Sequence, residues 1–147
     1  MSQKTIKFEI VTPERVVFQK DILQISVPTT SGEITVLPDH IPLVSVLKPG
    51  VLELKLTDNS SEILSVSGGF IEVMKDKVVI LADTAERAEE LDEKRIKEAQ
   101  ERAEKLKTEA RNIDDVQFAA VAAKLEKELA RLRAVSRWRR LKGTDTK

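Results

Sequence analysis

The chain has 147 residues, 25 of them basic and 25 acidic, for a formal net charge of zero. That length fits one compact domain with an appendage, or two small modules, and buries enough surface to fold without a staple. The absence of cysteine excludes disulfides and thiolate metal sites and suits a reducing compartment.

From the N-terminus, Met1-Ser2-Gln3-Lys4 opens directly into alternation, with no apolar signal core. Ile6, Phe8 and Ile10 alternate with Lys7 and Glu9, and Val51, Leu52, Leu54 and Leu56 with Glu53 and Lys55. Ile63-Leu64-Val66, Phe70-Ile71-Val73 and Val78 to Leu81 follow. Short half-buried segments of period two, repeated every 8–12 residues, read as a sandwich or barrel of about eight to ten strands. Asp58-Asn59-Ser60 and Lys75-Asp76-Lys77 sit where hairpin turns are needed, and Ser67-Gly68-Gly69 reads as a tight turn or bulge. All five prolines lie at or before Pro49 and four of five glycines at or before Gly69, so turns belong to the first half. The longest apolar runs, such as Val78 to Ala82, reach about five residues where a membrane span needs about 20. A soluble chain is expected, reaching a membrane only through another protein.

Residues 1–82 hold 8 Lys/Arg against 10 Asp/Glu, a net of −2, and residues 83–147 hold 17 against 15, a net of +2. This marks a module boundary, set between residues 85 and 86. From Asp83 onward the period becomes 3.6. Glu90/Lys94, Glu93/Lys97, Glu98/Arg102 and Glu101/Lys105 are spaced to support a helix. Ala99, Ala103, Leu106 and Ala110 share one face, small enough for a second helix to approach. The break falls at Arg111-Asn112-Ile113. Asp114 with Gln117 then has the capping-box spacing, flanked by Ile113 and Phe118 as a staple. The second helix carries Phe118, Val121, Leu125, Leu129 and Leu132 as a stripe, with Val135 at its edge and Trp138 pointing away. The expected fold is α+β: an antiparallel β-sandwich or flattened barrel over 1–85, then an αα-hairpin over 86–147.

No enzyme is visible. One histidine, no tyrosine and no cysteine leave no Cys–His pair, His cluster or metal site. His40, in Leu37-Pro38-Asp39-His40-Ile41-Pro42, has no nucleophile-elbow pattern beside it and reads as part of a proline-rich turn. Residues 124–142 are more distinctive, with eight Lys/Arg and two Glu, a net of +6. Lys124, Lys127 and Arg131 flank the stripe on one side, and Arg133, Arg137 and Arg140 on the other. Three readings stand: a solvated face, an acidic protein partner, or nucleic acid. The acidic partner fits best, because charge steers and Trp138 anchors, while the aromatic platforms of a nucleic-acid binder are missing. Asp92 and Arg95, toward the alanine face, are either an ion pair or the lining of a polar pocket for a charged ligand.

Taken in order, Ser31-Gly32-Glu33-Ile34-Thr35-Val36-Leu37-Pro38-Asp39-His40-Ile41-Pro42-Leu43-Val44, Leu47-Lys48-Pro49-Gly50-Val51-Leu52, Ser67-Gly68-Gly69-Phe70-Ile71-Glu72-Val73 and Val79 to Arg87 resemble the epsilon subunit of F-type ATP synthases. The resemblance covers nearly the whole chain. It implies a non-catalytic subunit of the central stalk that binds the gamma subunit and the c-ring and couples proton-driven rotation to ATP synthesis. It implies a peripheral place on the cytoplasmic face of a bacterial membrane. By motif match, Ser31, Gly32, Glu33, Asp39 and His40 face the c-ring. Lys124, Arg133, Arg137, Trp138 and Arg140 of an extended hairpin reach the beta (and alpha) subunits of the catalytic head and inhibit hydrolysis. No cofactor is required. Some members bind ATP at the hairpin, and the corresponding positions here are Glu86, Leu91, Asp92, Arg95, Lys127 and Arg131. Ile96 stands where that motif has alanine, and Lys127 where it has arginine, which loses a planar fork for phosphate. The rival is a free-standing adaptor that binds an acidic protein or nucleic acid through the basic helix.

Overall fold

The structure, a computed structural model, describes residues 3–91, 93–111 and 113–143, with Glu93 described through its backbone alone. Nine strands precede the helices among the described residues: β1 (Ile6–Val11), β2 (Val16–Thr29), β3 (Gly32–Val36), β4 (Leu43–Leu47), β5 (Gly50–Leu56), β6 (Ser61–Val66), β7 (Gly69–Val73), β8 (Lys77–Ala82) and β9 (Ala85–Arg87). A 3₁₀ turn, Ala88–Glu90, leads to α1 (Glu93–Glu109) and α2 (Asp115–Gly143).

The strands join in the order β1-β8-β7-β4-β2-β5-β6-β9, with β3 paired to β2. A further β1–β2 pairing closes a ring through β1, β8, β7, β4 and β2. The 14-residue β2 serves both halves of the sandwich. Its first part pairs β1 from Val16 to Ile22, and its second pairs β3 and β5, with a register shift between Ile22 and Gln24 that bends it from one to the other. Pairing is antiparallel throughout except between β1 and β8, which run parallel from Lys7/Lys77 to Val11/Leu81. The expected all-antiparallel sandwich is therefore mixed at this one junction. The chain returns to β1 only after seven strands, and nothing in local alternation fixes the direction of that meeting.

Alternation sorts the side chains as expected. Ile6, Phe8 and Ile10 point inward with Ile22, Ile25, Leu52, Leu54, Leu64, Ile71 and Ile80, all nearly or fully buried in one core. The turns follow their residues too. Asn59 has φ 68° and Ser60 donates its backbone N–H to Asp58 Oδ1 at 2.8 Å. Gly68 and Gly69 have φ of 125° and 135°, a region L residues rarely enter.

Helical structure starts later than the period suggests. Residues 85–87 form β9 against β6, and α1 begins only at Glu93. Glu90 therefore lies before the helix and pairs with Arg87 at 3.5 Å, not with Lys94. Arg87 fixes this corner. It grips the buried Glu62 with two bonds of 2.7 and 3.1 Å, contacts Glu89, and lies 5.6 Å from the Phe18 ring centre. Its bonds to Glu62 hold its guanidinium pKa above the ordinary value.

In the hairpin, Ala99 and Ala103 are buried against α2, as the small-residue face requires. Asp114 caps α2, accepting the Gln117 N–H at 2.9 Å. The stripe read for α2 is only partly inward. Val121, Leu125, Leu129 and Leu132 are half-buried and Phe118 is 49% exposed, whereas Glu128, Ala130, Ala134 and Val135 are buried. The helix has two contact faces, one for α1 and one for the sandwich, so a single stripe describes neither. Trp138 is not an outlying anchor. It packs with Leu141 against Ile63, Ala88, Ala134 and Val135 in a second core cluster between α2 and the sandwich. Among the described residues, no helix is long and apolar enough to cross a membrane.

Candidate functional site

The sandwich presents two outer faces, and sequence parity determines both. On β5, β6 and β9 the outward residues are Val51, Glu53, Ile63, Ser65 and Glu86, because Val51 pairs Ser65, Glu53 pairs Ile63, and Ser65 pairs Glu86. This face is covered by α2. Ile63 is 1% exposed beneath it. Arg131 reaches Glu86 through Nε and one terminal nitrogen at 2.5–3.1 Å, and its other nitrogen holds Glu128 at 2.9 Å. Arg102 of α1 holds the same Glu128 from the far side at 3.1 and 3.3 Å. Arg137 meets Glu53 at 2.7 Å. Burial works to lower the Arg131 pKa, but Glu86 and Glu128 outweigh it and keep the guanidinium above its usual value. The chain Arg102–Glu128–Arg131–Glu86 thus links α1, α2 and the sandwich in one network.

Beside that network lies a cleft of about 340 Å³, at the low end of the ~300–1,000 Å³ of small-ligand sites. It gathers Glu86, Leu91, Arg95, Lys127 and Arg131, five of the six residues read as a nucleotide set. The sixth, Asp92, lies outside the described residues. The cleft also takes Arg15 from the β1–β2 turn, which sequence reading missed because no local pattern links it to residues 70 or more positions away. Ile96 lines a neighbouring pocket with Leu91, Arg95 and Arg131.

The opposite face, formed by β1, β8, β7 and β4, carries no helix among the described residues. Register places Val46, Phe70, Leu81 and Val11 in one cross-strand row, and Val44, Glu72, Val79 and Glu9 in the next. Val44 is 70% exposed, Val46 44%, Phe70 55% and Leu81 56%. An apolar row exposed on β4, β7 and β8 and ending at half-buried Val11, bordered by two glutamates, is the pattern of a surface that another protein covers. Sequence reading assigned no residue here. The signal was present, since alternation makes every second residue outward, but these outward residues are apolar.

The remaining expected contacts fall in three places. Ser31, Gly32 and Glu33 sit together at the exposed β2–β3 turn, where Thr29 Oγ1 donates to the Gly32 carbonyl at 2.5 Å. Asp39 and His40 lie in the loop beyond the other end of β3, a strand about 14 Å long at ~3.4 Å per residue. The five therefore do not form one cluster. Asp39 has φ 65° and accepts Lys4 Nζ at 2.5 Å, which lowers its pKa. The His40 ring donates from Nδ1 to the Ile41 carbonyl at 2.7 Å. On α2, Lys124, Arg133 and Arg140 are exposed, while Arg137 and Trp138 face the sandwich. Two arginines of the basic helix are thus matched to acids of the same chain, which leaves less unspent charge for the adaptor reading than composition suggested.

Comparison with known proteins agrees with this architecture. Residues 5–88 match the family model of the ATP synthase delta/epsilon chain, beta-sandwich domain. An ATP synthase epsilon chain of Dichelobacter nodosus is 53% identical over 97 residues, covering 66% of this chain and 68% of that one. Another, of Chloroflexus aggregans, is 44% identical over 128 residues, covering 87% and 90%. A chain in the structure of the Euglena gracilis mitochondrial ATP synthase, OSCP/F1/c-ring, superposes with a TM-score of 0.74 at 24% identity, over 86% of this chain and 78% of that one, and shares the fold. With a sandwich domain that fits the family model and relatives aligned along most of its length, the chain belongs to the ATP synthase delta/epsilon family.

Proposed function

We propose that this chain is the central-stalk epsilon subunit of a bacterial F-type ATP synthase, tying a gamma-type shaft to the c-ring so that ion-driven rotation reaches the catalytic head. The observation that carries this is the bare row Val46–Phe70–Leu81–Val11. One outer face of the sandwich is closed by the chain's own hairpin, and the other is left apolar and open. A helical shaft laid across that face buries what water now touches. The turn at Ser31-Gly32-Glu33 then points polar groups toward the short loops of the c-ring, with Asp39 and His40 serving at the other end of β3. The subunit is peripheral, held at the cytoplasmic face through its partners, and it does no chemistry itself. Co-purification of the chain with a recombinant gamma subunit tests this. A stable complex at micromolar concentration is expected, and no complex would leave the family assignment standing without the stalk role.

Regulation belongs to the hairpin. When it leaves the sandwich, Lys124, Arg133, Arg137, Trp138 and Arg140 become a basic, aromatic surface that suits the acidic region of a catalytic beta subunit and restrains hydrolysis. Removing residues 124–147 is expected to raise ATP hydrolysis of the assembled enzyme at least about fivefold, the lower end of ordinary allosteric coupling. Synthesis is retained. An unchanged hydrolysis rate would remove the inhibitory role.

ATP is the proposed regulatory ligand of the cleft. Arg15, Arg95, Lys127 and Arg131 give it cationic walls, and Leu91 gives it an apolar side. Arg131 already holds two carboxylates, so a phosphate must share or displace Glu86, and binding in the millimolar range is expected. Replacing Arg131 with alanine should weaken it at least about tenfold, the loss of one charge-assisted contact. Calorimetry that finds no heat at millimolar ATP in the unsubstituted chain would eliminate the ligand.

A further inference from the structure

Two acidic residues of the sandwich, Glu53 on β5 and Glu86 on β9, stand outward on either side of β6, and each takes an arginine of α2. The apolar contact between them is thin. Ile63, Ala88 and the partly buried Val51 cluster with Ala134 and Val135 of α2, and Leu132, Trp138 and Leu141 pack against them only partly buried. Three of the five α2 residues in this seam are thus only partly buried, so the ion pairs beside it add to what holds α2 down. Both pairs are partly exposed: the side chains of Arg131 and Glu86 retain 19% and 27% of their accessible surface, and those of Arg137 and Glu53 retain 45% and 31%. Salt therefore reaches them.

We propose that Glu53 and Glu86 form an ionic latch that acts as an internal decoy, occupying Arg137 and Arg131 with carboxylates and so withholding them from an acidic partner while the hairpin is down. This rests on the reading that the hairpin leaves the sandwich. It adds that release is controlled by ionic strength and by competing carboxylates, because an acidic partner offers the same arginines the same chemistry. Glu128 keeps the latch in shape. Clamped between Arg102 and Arg131, it orients the Arg131 fork toward Glu86 and joins α1 to the same lock, so the two helices move as a unit.

The absence of cysteine allows a clean test in the full chain. Thr57→Cys on the sandwich and Lys105→Cys on α1, both exposed positions, take spin labels whose separation reports the hairpin. At low salt one short separation is expected. Near 1 M salt, where the Debye length is about 3 Å, a longer one should grow. The double variant Glu53→Gln and Glu86→Gln should show that longer population at low salt, enlarged about two- to thirtyfold, the product of two partly exposed pairs. Its salt dependence should be nearly flat. Exchanging the charges of one pair, Glu53→Arg with Arg137→Glu, should restore the closed separation. A double glutamine variant that stays closed with an unchanged salt profile overturns the latch. Ala134→Glu forces a charge into the buried seam and separates the two ideas. If it opens while the glutamine variant does not, the latch fails and release stands. If it stays closed, the hairpin does not leave the sandwich and the underlying reading fails.

Discussion

Replacing Gly69 with alanine is expected to destabilise the sandwich by about 3–5 kcal/mol, the range reserved for changes that no side-chain adjustment relieves. A Cβ at this position would stand 2.0 Å from the Leu81 carbonyl oxygen and 2.9 Å from the Ala82 Cα. Both obstacles are backbone of β8, the strand that pairs with β7 and, on its other side, runs parallel to β1. Moving it breaks two ladders. Gly69 also has φ of 135°, so alanine would be strained even without the clash. Against a total stability of about 5–15 kcal/mol for a domain, this is a large share of the margin. Gly32→Ala is the comparison. It has φ 119° but nothing within 4 Å of an added Cβ, so only the conformational cost of about 1–3 kcal/mol applies. Urea unfolding followed by far-ultraviolet circular dichroism checks both. Equal losses for the two variants would mean that the contact with β8 contributes nothing.

One residue further on, the expected effect shifts from folding to association. Phe70→Asp should leave the fold intact, because the ring is 55% exposed and outside both core clusters. It should lower affinity for the gamma-type shaft at least about 100-fold, near 3 kcal/mol, as loss of a central aromatic anchor does. Phe70 is flanked in register by Val46 and Leu81, so a carboxylate there puts a charge in the middle of the apolar row and gives it no cation in either neighbour. Titration of shaft protein against the folded variant measures this. Undiminished binding would show that the shaft lies elsewhere on the sandwich.

How far the sequence discloses this molecule differs between its parts. Strands were readable because burial repeats every two residues, and the cap at Asp114 because its chemistry is local. The β1–β8 direction was not readable, since the partners lie seventy residues apart. Nor was β9, whose three residues, Ala85-Glu86-Arg87, have helical composition but are held as strand by β6. For α2 the error had another origin. A helix that touches two partners spreads its small buried residues over two sides, and Ala130 and Ala134 matter more than the larger leucines read as the stripe. For the cleft, local pattern singled out only Asp92 and Arg95, and its other expected residues came from the family resemblance, because their convergence depends on how the helices pack on the sandwich. The open apolar face was legible in principle, yet a hydrophobic strand reads as core whichever way it points.

The closing pair between β1 and β8 also bears on how such a chain survives before it finds its partners. A newly made subunit with an uncovered apolar row is at risk of sticking to its own copies, and the usual route is strand addition along an unpaired edge. Here the first strand is bound on both sides, by β2 and β8. Other edges include β9, three residues long with its Glu86 held by Arg131, β3, five residues that end in a tight turn, and β4, five residues that pair with β2 only at Leu47. None of these three offers a long template. An exposed apolar row and short strand edges therefore coexist in this molecule, which limits the danger of fibril growth.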